Sequence, residues 1–114
     1  MRIKEVVDIV KGKVVCGKDW IDAEVQKGFA SDLMSDVLTL DTDNILLITG
    51  LANLQAIRTA EMSDIACIIF ARNKKVSKEM IELAEENQMV LIECACSVFK
   101  TAGELYRAGI KPVF

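Results

Sequence analysis

The chain has 114 residues, of which 52% are hydrophobic and 27% charged, and this composition excludes a disordered segment. It carries 17 acidic and 14 basic residues without a basic stripe, which argues against binding to nucleic acid. Histidine is absent, which excludes catalytic mechanisms and metal sites that depend on an imidazole.

The cysteine pattern and the hydropathy indicate the compartment. No apolar run is long enough to cross a membrane and the N-terminus does not resemble a signal peptide, so we expect a cytoplasmic protein without membrane association. Cys16, Cys67, Cys94 and Cys96 are then expected to be free thiols. Their spacing contains no C-x-x-C pair, so no metal and no cofactor are predicted. Cys94 and Cys96 are interpreted as small buried hydrophobes, and a redox or metal pair is the alternative.

The first part of the chain gives mixed signals. Apolar residues at helical spacing predict a helix over 2–11, and the run Val14–Cys16 is typical of a strand. Residues 18–28 lie between glycines and fit a short edge strand or an irregular loop. Ser31 is a suitable N-cap for a helix predicted over 31–40.

Three consecutive strand–helix units follow. Unbroken apolar runs at 45–48, 67–70 and 90–92 predict strands buried on both faces of a parallel sheet. The helices after them are capped by Asn53, Ser77 and Ser97 and extend to about Met62, Asn87 and Ala108. The apolar positions expected to pack inward on the predicted helices include Leu33, Leu38, Met62 and Tyr106. The tail 110–114 is predicted to be a final edge strand or a contact with another subunit.

This alternation predicts an α/β fold with a mostly parallel sheet and helices on both faces. Ligands of such sheets bind outside the carboxyl ends of the strands. Thr49 and Gly50 lie at one such end, where Gly50 allows close backbone approach and free N–H groups near Asn53 could hold an anion. The alternative is an ordinary turn with a capping asparagine.

Other polar residues fall near the same edge. Cys94 and Ser97 follow a neighbouring strand, and Arg58 and Arg72 are candidates for anion contact or for ion pairs. Ser31 and Asp32 belong either to a solvated helix face or to a surface that binds a cation, a ligand or a partner. The candidate ligand-binding residues are therefore Thr49, Gly50, Asn53, Arg58, Arg72, Cys94, Ser97, Ser31 and Asp32.

Three stretches together resemble a known family. The segments 28–38, 47–53 and 57–62, with the units that follow, resemble a stand-alone DRTGG domain, which is similar to the N-terminal domain of HPr kinase/phosphorylase. The resemblance covers nearly the whole chain and implies a single domain, 1–114, with a three-layer α/β/α sandwich. It also implies a regulatory or ligand-sensing role, because such domains occur alone or joined to CBS pairs and to phosphotransacetylase-type enzymes.

The chain departs from the residues that give this family its name. Thr49-Gly50 is followed by Leu51-Ala52 where Asp-Arg is expected, and Ala71-Arg72-Asn73 stands where Thr-Gly-Gly is expected. The G-x-x-x-x-G-K pattern at 12–18 is followed by Asp19, where a phosphate loop needs Ser or Thr. The resemblance therefore implies no kinase activity.

These observations predict a non-catalytic regulatory module that binds a small anionic ligand at the carboxyl edge and forms a homodimer or binds a partner protein. A pure interaction or dimerisation module is the alternative, and a cysteine-dependent redox protein is a third hypothesis.

Overall fold

A computed structural model describes all 114 residues as helices packed on both faces of a six-stranded sheet. The helices are α1 (Ile3–Val10), α2 (Met34–Val37), α3 (Leu54–Met62), α4 (Lys78–Glu86) and α5 (Val98–Ala108). The strands are β1 (Lys13–Cys16), β2 (Lys27–Ala30), β3 (Ile45–Thr49), β4 (Cys67–Phe70), β5 (Val90–Glu93) and β6 (Lys111–Pro112).

The strands lie in the order β1-β5-β4-β3-β2-β6. All neighbouring pairs from β5 to β6 are parallel, and only β1 at the edge runs antiparallel, against β5. The predicted α/β fold with a mostly parallel sheet between two helical layers is confirmed. No helix is long and apolar enough to span a membrane.

The sheet separates two apolar cores. One core combines β-strand side chains with Val37, Ile57 and Met80 from α2, α3 and α4. The other packs the opposite face of the sheet against Val6 of α1 and Leu105 of α5. Successive strand side chains point to opposite faces, so a strand covered on both sides needs apolar residues at every position. This requirement explains the unbroken apolar runs in the sequence.

The three predicted strand–helix units are present, and their helices begin where the sequence indicated. Asn53 Oδ1 accepts a hydrogen bond from the Ala56 N–H at 3.1 Å, which caps α3. Ser77 and Ser97 cap α4 and α5 in the same way, with distances of 3.2 and 3.0 Å to the capped amides. The tail contributes the edge strand β6, which pairs with β2.

The prediction of a helix over 31–40 is wrong. Only Met34–Val37 is helical and Leu33 occupies the N-cap position, because the Ser31 hydroxyl accepts a 3.0 Å hydrogen bond from the Leu33 N–H and forms a local turn. Residues 18–28 contain a 3₁₀ turn at Lys18–Trp20 and the start of β2. This strand is internal, between β3 and β6, and not an edge strand.

Four apolar side chains expected to pack inward are exposed. Met62 is 67% and Tyr106 is 68% exposed, and Leu33 and Leu38 are exposed by about half. Both leucines flank the short helix α2 and are not part of it. They therefore do not lie on its buried face, as they would in the longer predicted helix. Tyr106 projects from the outer surface of α5.

Candidate functional site

The carboxyl ends of β2, β3, β4 and β5 are joined into one polar edge. The Ser31 N–H donates to the Ile48 carbonyl at 3.0 Å, and the Ala71 N–H donates to the Thr49 carbonyl at 2.9 Å. The Arg72 N–H reaches the Cys96 carbonyl at 2.7 Å. We call this edge the carboxyl rim and define it as residues 31–32, 49–51, 71–76 and 93–97.

Asp32 is held at the centre of the rim by the end of β3. Its Oδ1 accepts hydrogen bonds from the Thr49 hydroxyl at 2.9 Å and from the Gly50 N–H at 2.7 Å. The Thr49 hydroxyl also accepts a 3.1 Å bond from the Leu51 N–H, and its side chain is fully buried. The N–H groups of Gly50 and Leu51 are therefore occupied, so an anion must bind other groups or displace the carboxylate.

The surroundings of Asp32 favour its ionised form. The hydrogen bond from Gly50 is the main cause that lowers the pKa of this carboxyl, and it outweighs the raising effect of partial burial. The hydrogen bond from Thr49 and the positive charges of Arg72 and Lys74 lower the pKa further. Both cations are thus close enough to act on Asp32.

Arg72 lies directly against Gly50. A Cβ atom added at Gly50 would stand 3.0 Å from Nε and 3.2 Å from Nη2 of Arg72, so a larger residue here would require the guanidinium to shift. No carboxylate lies within ion-pair distance of Arg72. Its guanidinium thus lies beside the turn after β3, and its donors have no acidic partner.

The loop 71–76 after β4 carries this arginine and has an unusual backbone. Arg72 and Asn73 adopt left-handed conformations with φ of 61° and 59°. Glu93, largely buried at the end of β5, accepts a 2.8 Å hydrogen bond from the Val76 N–H and lies 3.7 Å from Lys75 Nζ. The loop is therefore anchored at both ends, by backbone bonds near Arg72 and by a carboxylate at Val76.

Lys74 is not among the candidate residues that the sequence predicts. Its charge contributes to the lowered pKa of Asp32, and it forms no ion pair. A basic pair directly after a buried strand is the signal that could have indicated it.

The other predicted site residues lie in the rim or on α3, and three of them have side chains that stabilise the fold. The side chains of Asn53 and Ser97 cap helices. Cys94 is buried, with its thiol donating to the Val10 carbonyl at 3.4 Å and lying 3.6 Å from the Thr101 hydroxyl. Arg58 is exposed on α3 without an ion pair and makes no hydrogen bond to the Asp32 network.

The cysteines are mostly buried thiols. All four are free, and Cys16, Cys67 and Cys94 are buried. Burial raises the pKa of the Cys67 thiol, and burial with the charge of Glu85 raises the pKa of Cys16. No group of three or more acidic or cysteine side chains is placed to hold a metal ion.

The chain is a small α/β domain in which the carboxyl ends of four parallel strands, β2 to β5, meet at one polar edge. Residues 5–108 match the DRTGG domain family, and the chain belongs to this family. The predicted resemblance to DRTGG domains is thereby confirmed, whereas the similarity to HPr kinase/phosphorylase stays a prediction. No curated protein matches the chain.

A solved structure has the same fold. It contains the CBS and DRTGG domains of the regulatory region of Clostridium perfringens pyrophosphatase, complexed with the activator diadenosine tetraphosphate. The TM-score is 0.79 at 15% sequence identity, and the match covers 98% of this chain and 48% of that one. The chain thus spans about half the length of that solved regulatory region.

Proposed function

We propose that the chain is a single cytoplasmic, non-catalytic regulatory domain that binds a small anionic ligand at the carboxyl rim. The DRTGG family supports a regulatory role, because the similar structure comes from the regulatory region of an enzyme and was solved with a nucleotide activator. Histidine is absent and three of the four cysteines are buried, which favours binding over catalysis.

The observation that carries this proposal is the position of Arg72. A guanidinium without an acidic partner can bind an anion bidentately, and that of Arg72 lies beside Gly50 at the end of β3. Lys74 adds a second unpaired cation on the same loop. In this proposal Thr49, Gly50 and Asp32 shape the rim.

The remaining candidates have supporting roles in the proposal. Asn53, Ser97, Cys94 and Ser31 stabilise turns and helix ends in the rim or beside it. Arg58, exposed on the second turn of α3, is a candidate for a second contact with a larger anion.

Isothermal titration with pyrophosphate tests the proposal. Arg72→Gln should weaken binding by about tenfold or more, the range expected for a charged hydrogen bond. Gly50→Val should weaken it similarly, because the new side chain displaces the guanidinium. Gly103→Val is the matched control, since a Cβ at Gly103 meets nothing within 4 Å, and Lys13→Gln controls for the loss of one exposed charge.

Thermal unfolding should show that the four variants remain folded. The proposal fails if the wild-type protein does not bind pyrophosphate. It also fails if Arg72→Gln and Lys13→Gln have the same affinity, because the anion would then not contact the rim.

A second candidate function is dimerisation through α5. Phe99 is 89% and Tyr106 is 68% exposed, and their spacing of seven residues with Gly103 between them gives one apolar helix face. The ring of Phe114, 87% exposed, packs edge-on against Phe29 with centroids 6.1 Å apart.

Analytical ultracentrifugation of the double variant Phe99→Ser/Tyr106→Ser tests this second function. A dimer that becomes a monomer would support it, and an unchanged species would exclude this helix face. Deletion of 110–114 is a poorer test, because it also removes the buried Ile110 and the strand β6.

A further inference from the structure

We propose that the rim binds a phosphate ester that also carries a free hydroxyl group. Asp32 accepts a hydrogen bond from this hydroxyl, while Arg72 and Lys74 bind the phosphate. This inference rests on the proposed function and specifies the ligand of the same site.

The first argument concerns the free oxygen of Asp32. Oδ1 accepts the bonds from Thr49 and Gly50, whereas Oδ2 accepts no hydrogen bond from the chain. The two bonds on Oδ1 fix the plane of the carboxylate, so Oδ2 is a preoriented acceptor on an exposed side chain. A ligand group that binds to Oδ2 must therefore be a hydrogen-bond donor.

The second argument decides which donor fits. Arg72 lies beside Gly50, whose N–H binds Asp32, and the charges of Arg72 and Lys74 lower the pKa of Asp32. A ligand ammonium group or a metal ion beside Asp32 would therefore be repelled by these positive charges. Asp32 belongs to no cluster of three or more acidic or cysteine side chains that could offset them. A neutral hydroxyl donates to Oδ2 without this repulsion.

The third argument concerns the anionic part. Arg72 offers a planar set of donors and Lys74 a point charge, and neither has an intramolecular carboxylate partner. A phosphate monoester carries between one and two negative charges near neutral pH and matches two cations better than a single carboxylate does. Phosphate and hydroxyl must then lie on one small molecule, as in a sugar phosphate or a nucleotide.

The expected selectivity follows from the fixed carboxylate. A hydrogen bond to a charged group, lost when the ligand has no donor, changes affinity by about tenfold to a hundredfold. Ribose 5-phosphate should therefore bind at least about tenfold more tightly than inorganic phosphate. Asp32→Asn should remove this preference, because the amide can keep its oxygen toward Thr49 and Gly50 and then presents NH₂ where Oδ2 was.

The experiment is titration calorimetry of the wild-type chain and of Asp32→Asn with four probes. The probes are inorganic phosphate, ribose 5-phosphate, 2-deoxyribose 5-phosphate and AMP. Tighter binding of AMP than of ribose 5-phosphate would assign the ligand to nucleotides, and the reverse would assign it to sugar phosphates. Asp36→Asn is the control for the loss of one carboxylate, because the Asp36 side chain makes no hydrogen bond or ion pair.

Three results would overturn the inference. Equal affinity of the wild type for inorganic phosphate and for ribose 5-phosphate would exclude hydroxyl recognition and leave the proposed anion site standing. Asp32→Asn binding all probes more tightly by the same factor would show that Asp32 only competes with the anion. Failure of every phosphate probe, together with pyrophosphate, to bind the wild type would overturn both proposals.

Discussion

The Gly50 N–H donates a 2.7 Å hydrogen bond to Asp32 Oδ1 across 18 residues of chain. The bond joins the segment after β2 to the turn after β3, and Thr49 reinforces it from a fully buried position. The shape of the rim thus depends on a tertiary contact between two strand ends, in addition to the local turn geometry.

Thr49→Val should destabilise the fold. The variant keeps the shape of the side chain but leaves the Leu51 N–H without its acceptor and Asp32 with one donor fewer, at a cost of about 1–3 kcal/mol. Urea unfolding measures the loss. Thr42→Val is the control, because the Thr42 hydroxyl makes no hydrogen bond, and it should change the free energy of unfolding by about 0.5 kcal/mol or less. Equal effects of the two substitutions would contradict the structural role of Thr49.

Asp32 should contribute a pH-dependent part of the stability. The pKa of its carboxyl is lowered in the folded state, mainly by the hydrogen bond from Gly50, so the stabilisation is complete above the unfolded value of about 3.9. It is lost as the pH falls through the lower folded pKa. The difference in unfolding free energy between the wild type and Asp32→Asn should therefore be constant above about pH 5 and shrink below about pH 4. A difference that stays constant at lower pH would refute the Asp32 interaction.

Asn53 should behave as a cap rather than as a ligand contact. Asn53→Ala removes the acceptor for the Ala56 N–H and should cost about 1 kcal/mol of stability. Asn53→Asp keeps an acceptor and adds a charge that the helix N-terminus favours, so its stability should equal or exceed that of the wild type. Thermal unfolding distinguishes these outcomes. An Asn53→Ala variant that is as stable as the wild type would disprove the capping role.

Glu93 should control the order of the loop 71–76. Glu93→Ala removes the acceptor of the Val76 N–H, so hydrogen exchange at this amide should accelerate. Glu93→Gln retains an oxygen acceptor and should exchange at nearly the wild-type rate, although the contact with Lys75 is weakened. Amide exchange followed by NMR gives both rates, and identical rates in the two variants would show that the carboxylate does not anchor the loop.

The four cysteines should differ strongly in reactivity. Cys96 is the only partly exposed thiol and should be alkylated first at pH 8, whereas Cys67 should react only on unfolding, because burial excludes the reagent and raises its pKa. Mass spectrometry after timed alkylation gives the order. Rapid modification of Cys67 in the native protein would contradict its burial and revive the redox hypothesis.

The sequence predicted the strand–helix units well because their signals are local. The runs 45–48, 67–70 and 90–92 need no distant information to be recognised as buried strands, and Asn53 and Ser97 are typical caps. The antiparallel position of β1 beside β5 could not be predicted, because it pairs segments far apart in the chain.

The errors concentrate where distant side chains decide the local structure. Ser31 and Asp32 have the composition of a helix start, yet Ser31 turns back to Leu33 and Asp32 reaches β3, which leaves α2 only four residues. The contact of Arg72 with Gly50 and the influence of Lys74 on Asp32 also join separate strand ends. Candidate residues could therefore be named from the sequence, whereas their arrangement into one site required the fold.

The two outer strands of the sheet also limit how molecules of this chain associate. The edge strand β6 is two residues long and contains Pro112, which has no N–H to offer a neighbouring strand. At the opposite edge, β1 begins with the exposed Lys13, and its register is interrupted between Val14 and Cys16. Both edges are poor templates for sheet extension between molecules, so the protein should resist fibril growth even when it is concentrated.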